Sequence, residues 1–232
     1  MTNVPSLGLV IKKSPEQFYE ACRRKGLLML FQKTSTRTSL SFQSGINQMG
    51  GYSVVMDWDS SNFSLSPIRY EARYASRNCD VIMARLKKHA DLLELARYST
   101  VPVINGCCDK YHPCQALADL MTIYEVSGTF SGLCLAYVGV HNNVANSLVA
   151  GCMTLGIKLL LVTPILNSPS WDEELMQTAY RSGYVEKVDQ LSPIHPGFEI
   201  EEELIESERS IIYQQAENRM HVQKALLLHL LR

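Results

Sequence analysis

Short apolar runs of strand length alternate with stretches of helical period, and this alternation constrains the chain more than any other feature. Leu27–Phe31, Tyr52–Met56, Val81–Ala84 and Val101–Asn105 read as strands. Between them lie helical patterns. Ser14-Pro15 leads into a helix over Glu16–Arg24, and Gly50-Gly51 closes one over Ser39–Met49. Ile68–Arg77, His89–Ser99 and Pro113–Val126 follow. Such an order predicts a mostly parallel sheet with helices on both faces. At Ser127-Gly128-Thr129-Phe130-Ser131-Gly132 the pattern breaks and then restarts. Leu133–Val138 and Ile157–Val162 read as strands, Asn143–Leu155 and Ser170–Ser182 as helices ended by Gly156 and Gly183.

Past Tyr184 the alternation fails. A strand over Val185–Gln190 is followed by Pro193, Pro196 and Gly197. A short acidic helix (Glu199–Glu206), a strand (Ser210–Tyr213) and a last helix (Asn218–Leu231) complete the chain. The expected class is α/β, with two doubly wound parallel-sheet domains of which the second is shortened. The first spans residues 1–127 and the second 128–215, with a helix over 216–232 packing back on the first. A length of 232 residues, 46% of them hydrophobic, leaves room for two small cores.

A formal charge of −1 gives no electrostatic reason to expect nucleic acid as a partner. No apolar run approaches bilayer length, and the first residues lack the pattern of a secretory signal, so a cytoplasmic protein without a membrane partner is expected. Seven cysteines, an odd number with no Cys-x-x-Cys pair, argue against a disulfide framework or zinc site.

Chemistry concentrates in a few segments. Phe31-Gln32-Lys33-Thr34-Ser35-Thr36-Arg37-Thr38 lies between a strand and a helix, where backbone N–H groups and the helix dipole favour an anion. Ser35, Thr36 and Thr38 add hydroxyls, and Arg37 adds a planar fork suited to phosphate oxygens. A solvated turn with an ordinary helix cap is the alternative. Arg85 stands at the C-terminal end of a strand, where open α/β sheets bind ligands, although alone it would pass for a surface charge. In Tyr111-His112-Pro113-Cys114-Gln115, His112 sits at a helix start with Gln115 one turn on. An imidazole and an amide at that spacing can donate to a carbonyl and accept from an NH2 group; a cap with polar first-turn residues is the plainer reading.

Together these segments resemble the aspartate/ornithine carbamoyltransferase family. The match rests on Ser35-Thr36-Arg37-Thr38 after an apolar strand, Leu40-Ser41-Phe42, Met49-Gly50-Gly51, and His112-Pro113-Cys114-Gln115. Ala118-Asp119 with Leu120–Ile123, and Gln215-Ala216-Glu217-Asn218-Arg219-Met220-His221, lean toward the ornithine branch. The resemblance implies that Ser35, Thr36, Arg37 and Thr38 hold the phosphate of carbamoyl phosphate. It further implies that Arg85, His112 and Gln115 orient the carbamoyl group, with Arg85 and His112 catalytic, and that Arg219 reaches the same ligand. Asn143, after Gly139-Val140-His141-Asn142, would contact the amino acid, with a helix N-cap as its alternative role. That turn lacks a dinucleotide fingerprint. No cofactor is implied, because positioned donors and held reactants suffice for carbamoyl transfer. A homotrimer or multiple of trimers is the family expectation.

The chain departs from the family in the second half. The Asp…Ser-Met-Gly and His-Cys-Leu-Pro elements of the ornithine branch are absent, and Val188-Asp189-Gln190 runs almost directly into Pro193-Ile194-His195-Pro196. Val140 and His141 replace the usual aspartate and glycine of their turn. Three functions stay open: citrulline formation from ornithine, transfer to another amine, and a non-catalytic carbamoyl-phosphate-binding relic or regulator. A second domain lacking strands is expected to be destabilised.

Overall fold

The computed structural model describes residues 4–188, 207–208 and 210–231. Its elements are α1 (Val4–Lys13), β1 (Gly26–Phe31), α2 (Thr36–Asn47), β2 (Tyr52–Asp57), α3 (Ile68–Ala75), β3 (Val81–Arg85), α4 (His89–Tyr98), β4 (Val103–Cys107) and α5 (Pro113–Ser127). After these come β5 (Cys134–His141), α6 (Asn143–Leu155), β6 (Lys158–Leu166), α7 (Glu173–Ser182), β7 (Val185–Lys187) and a long helix, α8 (Ile212–Leu231).

Two parallel sheets form, as the alternation predicts. The first has the order β2-β1-β3-β4. From β1 the chain steps to one side through α2, then crosses back through α3 and onward through α4. Right-handed crossovers therefore place α2 on one face and α3 and α4 on the other. The reversal of strand order falls between β1 and β3, which are in register from Leu27 opposite Val81 to Phe31 opposite Arg85. All six residues of β1 are buried, as expected for a strand covered on both faces. Leu27, Met29 and Phe31 join Phe42, Ile46, Met121, Val222 and Leu228 in one core. Leu28 and Leu30 join Trp58, Phe63, Ala72 and Leu95 in the other. Gly50 closes α2 at φ +82, and a Cβ there would stand 2.8 Å from the Tyr19 carbonyl oxygen, so both conformation and space call for glycine.

The second sheet runs β5-β6-β7 in a single direction. Both right-handed crossovers then fall on one face, and α6 and α7 lie there over Leu159, Leu161 and Val185. On the opposite face Val138 is 61% exposed, beside exposed Cys134 and Ala136. Among the described residues, β5 has no strand on its outer edge.

Several boundaries differ from expectation. The Ser14-Pro15 signal gives only a 3-10 turn over Pro15–Phe18, because the Ser14 side chain makes no capping bond. An unforeseen helix, α1, precedes it. The helix expected from Ser39 begins at Thr36, and β4 lies two residues later than Val101–Asn105. Ser210–Tyr213 is not a strand, since α8 already begins at Ile212. The acidic helix over Glu199–Glu206, and Asp189-Gln190 of the predicted strand, lie outside the described residues. No described helix is long and apolar enough to cross a membrane.

Helix α8 packs against α1, α2 and α5, in the helical layer of the first sheet. Asn218 donates to Thr122 Oγ1 at 3.0 Å and to Glu125 Oε2 at 2.7 Å. Lys12 of α1 donates to Asn218 Oδ1 at 2.8 Å and pairs with Glu125 at 3.1 Å. This buried polar knot fixes the rotation of α8 and so the face it turns toward α5.

Candidate active site

The site lies where strand order reverses, at the C-terminal ends of β1, β3 and β4. Open α/β sheets leave a crevice at that point. Ladder bonds continue past the strands: Gln32 N–H donates to Arg85 O at 2.9 Å and Leu86 N–H to Cys107 O at 3.0 Å. They bring the segment after β1, Arg85 at the end of β3, and the β4–α5 loop side by side.

Ser35 caps α2, its Oγ accepting from Thr38 N–H at 3.2 Å. Thr36, Arg37 and Thr38 therefore form the first helical turn rather than a loop. Thr36 and Arg37 are exposed and Thr38 is fully buried. His112 occupies the N-cap position of α5. Its N–H donates to Ser147 Oγ at 2.7 Å and to Asn143 O at 3.2 Å, so α6 of the second domain sets its height.

Arg219, at the middle of α8, closes the group. One Nη2 donates to Thr38 Oγ1 at 2.8 Å and lies 3.4 Å from His112 Nε2; Nη1 donates to Gln115 Oε1 at 3.2 Å. A guanidinium can only donate, so His112 Nε2 is the acceptor and Nδ1 carries the ring proton. Gln115 Nε2 in turn donates to Asp119 Oδ1 at 3.1 Å, and Gln215 of α8 donates to the same oxygen at 2.7 Å. Among the described residues the N–H donors Arg85 Nε, His112 Nδ1 and Arg219 Nε are buried without an acceptor.

Electrostatics follow from this crowding. Burial, then Arg219, Arg85, Arg37 and Lys33, hold the His112 pKa down at about 3. Burial also lowers the Arg219 pKa, and Arg37 and Arg85 push the same way. None of these four cations is in an ion pair among the described residues. A neutral imidazole thus sits among unpaired positive charges, an arrangement that favours an anion carrying a polarisable carbonyl.

A pH effect follows. Because the folded-state pKa of His112 is depressed from 6.5 to about 3, unfolded chains take up a proton below pH 6.5 that folded chains do not. Stability is therefore lost as pH falls through that window. Between pH 6.5 and 5, His112 alone is expected to account for about 1–2 kcal/mol. Urea unfolding at both pH values should show a smaller acid loss in His112→Gln than in the parent; equal losses would mean that His112 is not the group responsible.

Asn143 meets this cluster only through its backbone carbonyl, which accepts from His112 N–H; its side chain turns elsewhere. It is not the N-cap of α6; Asn142 is, accepting from Val144 N–H at 2.9 Å and Ala145 N–H at 3.3 Å. The Asn143 amide donates to Cys108 O at 2.7 Å and to Cys107 Sγ at 3.3 Å, tying the second domain to the loop before His112. Asn146, fully buried, continues the tie with bonds to Lys110 O at 3.0 Å and Ser170 O at 2.7 Å. Asn146 and Ser147 belong to no motif read in the sequence, and Asp119 and Gln215 stand in motif stretches without an assigned role. For the last two, spacing offers a signal: Gln115 and Asp119, like Gln215 and Arg219, are one helical turn apart.

Comparison with known proteins agrees with this geometry. The family model described as aspartate/ornithine carbamoyltransferase, carbamoyl-P binding domain, matches residues 4–125. That for the Asp/Orn binding domain matches residues 172–230. The ornithine carbamoyltransferase of Archaeoglobus fulgidus is 34% identical, over 90% of this chain and 85% of the relative. Its alignment runs over 264 positions, more than the 232 residues of this chain, so the relative has residues without counterpart here. The ornithine carbamoyltransferase of Methanocaldococcus jannaschii is 31% identical, over 94% and 91% of the two chains. Among solved structures, ornithine carbamoyltransferase from Thermus thermophilus superposes with a TM-score of 0.87 at 30% identity, covering 100% of this chain and 94% of that one. The Pyrococcus furiosus enzyme gives 0.84 at 32%, covering 97% and 91%. Sequence, sheet order and the polar cluster at the strand-order reversal agree, and the chain belongs to the aspartate/ornithine carbamoyltransferase family.

Proposed function

We propose that the protein transfers the carbamoyl group of carbamoyl phosphate to the amine of ornithine, giving citrulline and phosphate, and that it serves arginine biosynthesis as a cytoplasmic trimer. The observation that carries the reading is the cluster at the strand ends in which Arg219 bonds to Thr38 and Gln115 and lies 3.4 Å from His112 Nε2, with Arg85 beside it at the end of β3. Ser35, Thr36, Arg37 and Thr38 receive the phosphate, where exposed Arg37 can fold over it. Arg85, Thr38 and the Nδ1–H of His112 face the carbonyl oxygen and stabilise the oxyanion that forms when the amine attacks. Gln115 Oε1 accepts from the carbamoyl NH2, and Asn143 lies on the amino-acid side. The chemistry needs no proton from His112, which stays neutral throughout the physiological range. The tetrahedral intermediate collapses as its C–O bond to phosphate breaks; phosphate leaves with that electron pair and takes up the proton the amine gives up on forming the C–N bond, its charge held by Arg37 and Arg219.

A second reading has its own observation. The chain lacks the Ser-Met-Gly and His-Cys-Leu-Pro elements, and the relatives' alignments extend over more positions than it has residues. A carbamoyl-phosphate-binding relic or regulator would keep the cationic pocket without turnover, and an enzyme with another acceptor would turn over a different amine. Citrulline formation by the purified chain decides, with Arg37→Ala as control. Turnover that Arg37→Ala reduces at least about 100-fold, the worth of two charge-assisted bonds, supports the ornithine reading. Carbamoyl phosphate binding without citrulline, across a panel of amines, supports the relic. Absence of carbamoyl phosphate binding would overturn both.

A further inference from the structure

We propose that Asp119 is a positioning residue that selects the carbamoyl group by fixing which end of the Gln115 amide faces the substrate. The inference rests on the carbamoyl phosphate reading above. An amide can turn either its oxygen or its NH2 toward a ligand, and the two ends present opposite chemistry. In Gln115 that choice is made from behind. Asp119 Oδ1 accepts from Gln115 Nε2 at 3.1 Å, which leaves Oε1 pointing forward, where Arg219 Nη1 lies 3.2 Å away. Flipping the amide would set Oε1 against the Asp119 oxygen and the NH2 against a guanidinium. Both contacts would be lost at once.

Asp119 is itself held from the opposite side. Gln215 Nε2 donates to the same Oδ1 at 2.7 Å. The four residues form two helical pairs, Gln115 with Asp119 on α5 and Gln215 with Arg219 on α8, facing one another. Burial raises the Asp119 pKa, while the bonds from Gln115 and Gln215 and the nearby Arg219 oppose that rise. In either protonation state Oδ1 remains an acceptor toward both amides. The forward oxygen of Gln115 keeps a lone pair free beside the one used by Arg219. It suits a ligand NH2 and gives nothing to a methyl group, so the arrangement distinguishes a carbamoyl phosphate from an acyl phosphate of the same shape.

Acetyl phosphate, with a methyl in place of the NH2, is therefore the probe. Dissociation constants for carbamoyl phosphate, acetyl phosphate and inorganic phosphate are measured by calorimetry on the full chain. In Asp119→Leu the preference for carbamoyl over acetyl phosphate is expected to fall about fivefold, the worth of one hydrogen bond. Affinity for acetyl phosphate and inorganic phosphate should stay within about twofold. Asp119→Asn, which still offers an oxygen acceptor, should restore the preference. In Gln115→Met the preference falls by a similar factor, and adding Asp119→Leu should cause no further fall, because the two residues act as one unit. If the leucine variant does not fold, Asp119→Ser, too short to reach Gln115, takes its place.

Equal weakening of all three ligands in Asp119→Leu or its serine substitute would overturn the proposal and leave Asp119 a packing residue. A loss in Asp119→Asn as large as in Asp119→Leu would overturn it as well, by assigning the effect to negative charge. Failure of the unaltered chain to bind carbamoyl phosphate would instead overturn the functional reading on which the proposal stands.

Discussion

On the proposed function, Arg219→Met is expected to weaken carbamoyl phosphate binding by at least about 100-fold, because it would remove the two charge-assisted contacts that reading assigns to this guanidinium. The same change should not lower the melting temperature of the free protein. Arg219 is 5% exposed, has no carboxylate partner among the described residues, and is disfavoured as a cation by burial and by Arg37 and Arg85. A methionine of similar length relieves that repulsion while filling the same space. The lost bonds to Thr38 and Gln115 offset part of the gain. Thermal melts with and without phosphate separate the two effects: the parent gains stability from the anion by mass action, and the variant should not. A variant that keeps the anion-induced shift would show that Arg219 only braces α8.

Phe42→Ala carries the second large effect. Phe42 is fully buried in the core that joins α2 to β1 and α8, alongside Met29, Ile46, Val222 and Leu228. Loss of such a ring costs about 3–5 kcal/mol, since its surroundings collapse only in part. For a chain of this size the melting temperature should fall by roughly 10 °C. Because the ring also supports the helix that begins at Thr36, binding of carbamoyl phosphate should weaken more than stability alone accounts for. Measurements well below the variant's own melting temperature test this. Unchanged affinity there would show that the first turn of α2 is held by its cap and ladder bonds and does not lean on the core.

The first domain was legible because its strands are buried on both faces and its punctuation is strong. Leu27–Phe31 and Val81–Ala84 read as continuous apolar runs, and Gly50-Gly51 and Pro113 mark helix ends. The start of α2 is not legible, because four consecutive Ser, Thr or Arg residues offer several possible caps, and only the Ser35–Thr38 bond decides among them. Helix α1 went unseen because Pro5 and Gly8 are weak helix formers. Gly8 is suited there by packing: a Cβ would come 2.8 Å from Met121 Sδ, a contact no local pattern reveals. Ile211, Ile212 and Tyr213 suggested a strand through β-branched and aromatic content, yet they are exposed and lead into α8.

Site residues divide along the same line. Thr38, His112, Gln115 and Arg219 belong to recognisable motifs, and the fold brings them together. Asn143 was legible as a residue at the turn, but its bond to the Cys108 carbonyl depends on how the second domain meets the first. Asp119 and Gln215 are 96 positions apart. Only the rotation of α8, set by the Lys12–Glu125–Asn218 knot, makes them neighbours.

That late helix also gives the pocket a place in time. Thr38 and Arg219 are joined across 181 positions, so a nascent chain has made the first turn of α2, Arg85 and His112 well before the residue that bonds to Thr38 and lies against His112. At about 5–20 residues per second, the ribosome leaves a half-built pocket waiting for many seconds. Through that interval the chain has no assembled grip on its ligand, and binding competence arrives only with the emergence and docking of α8.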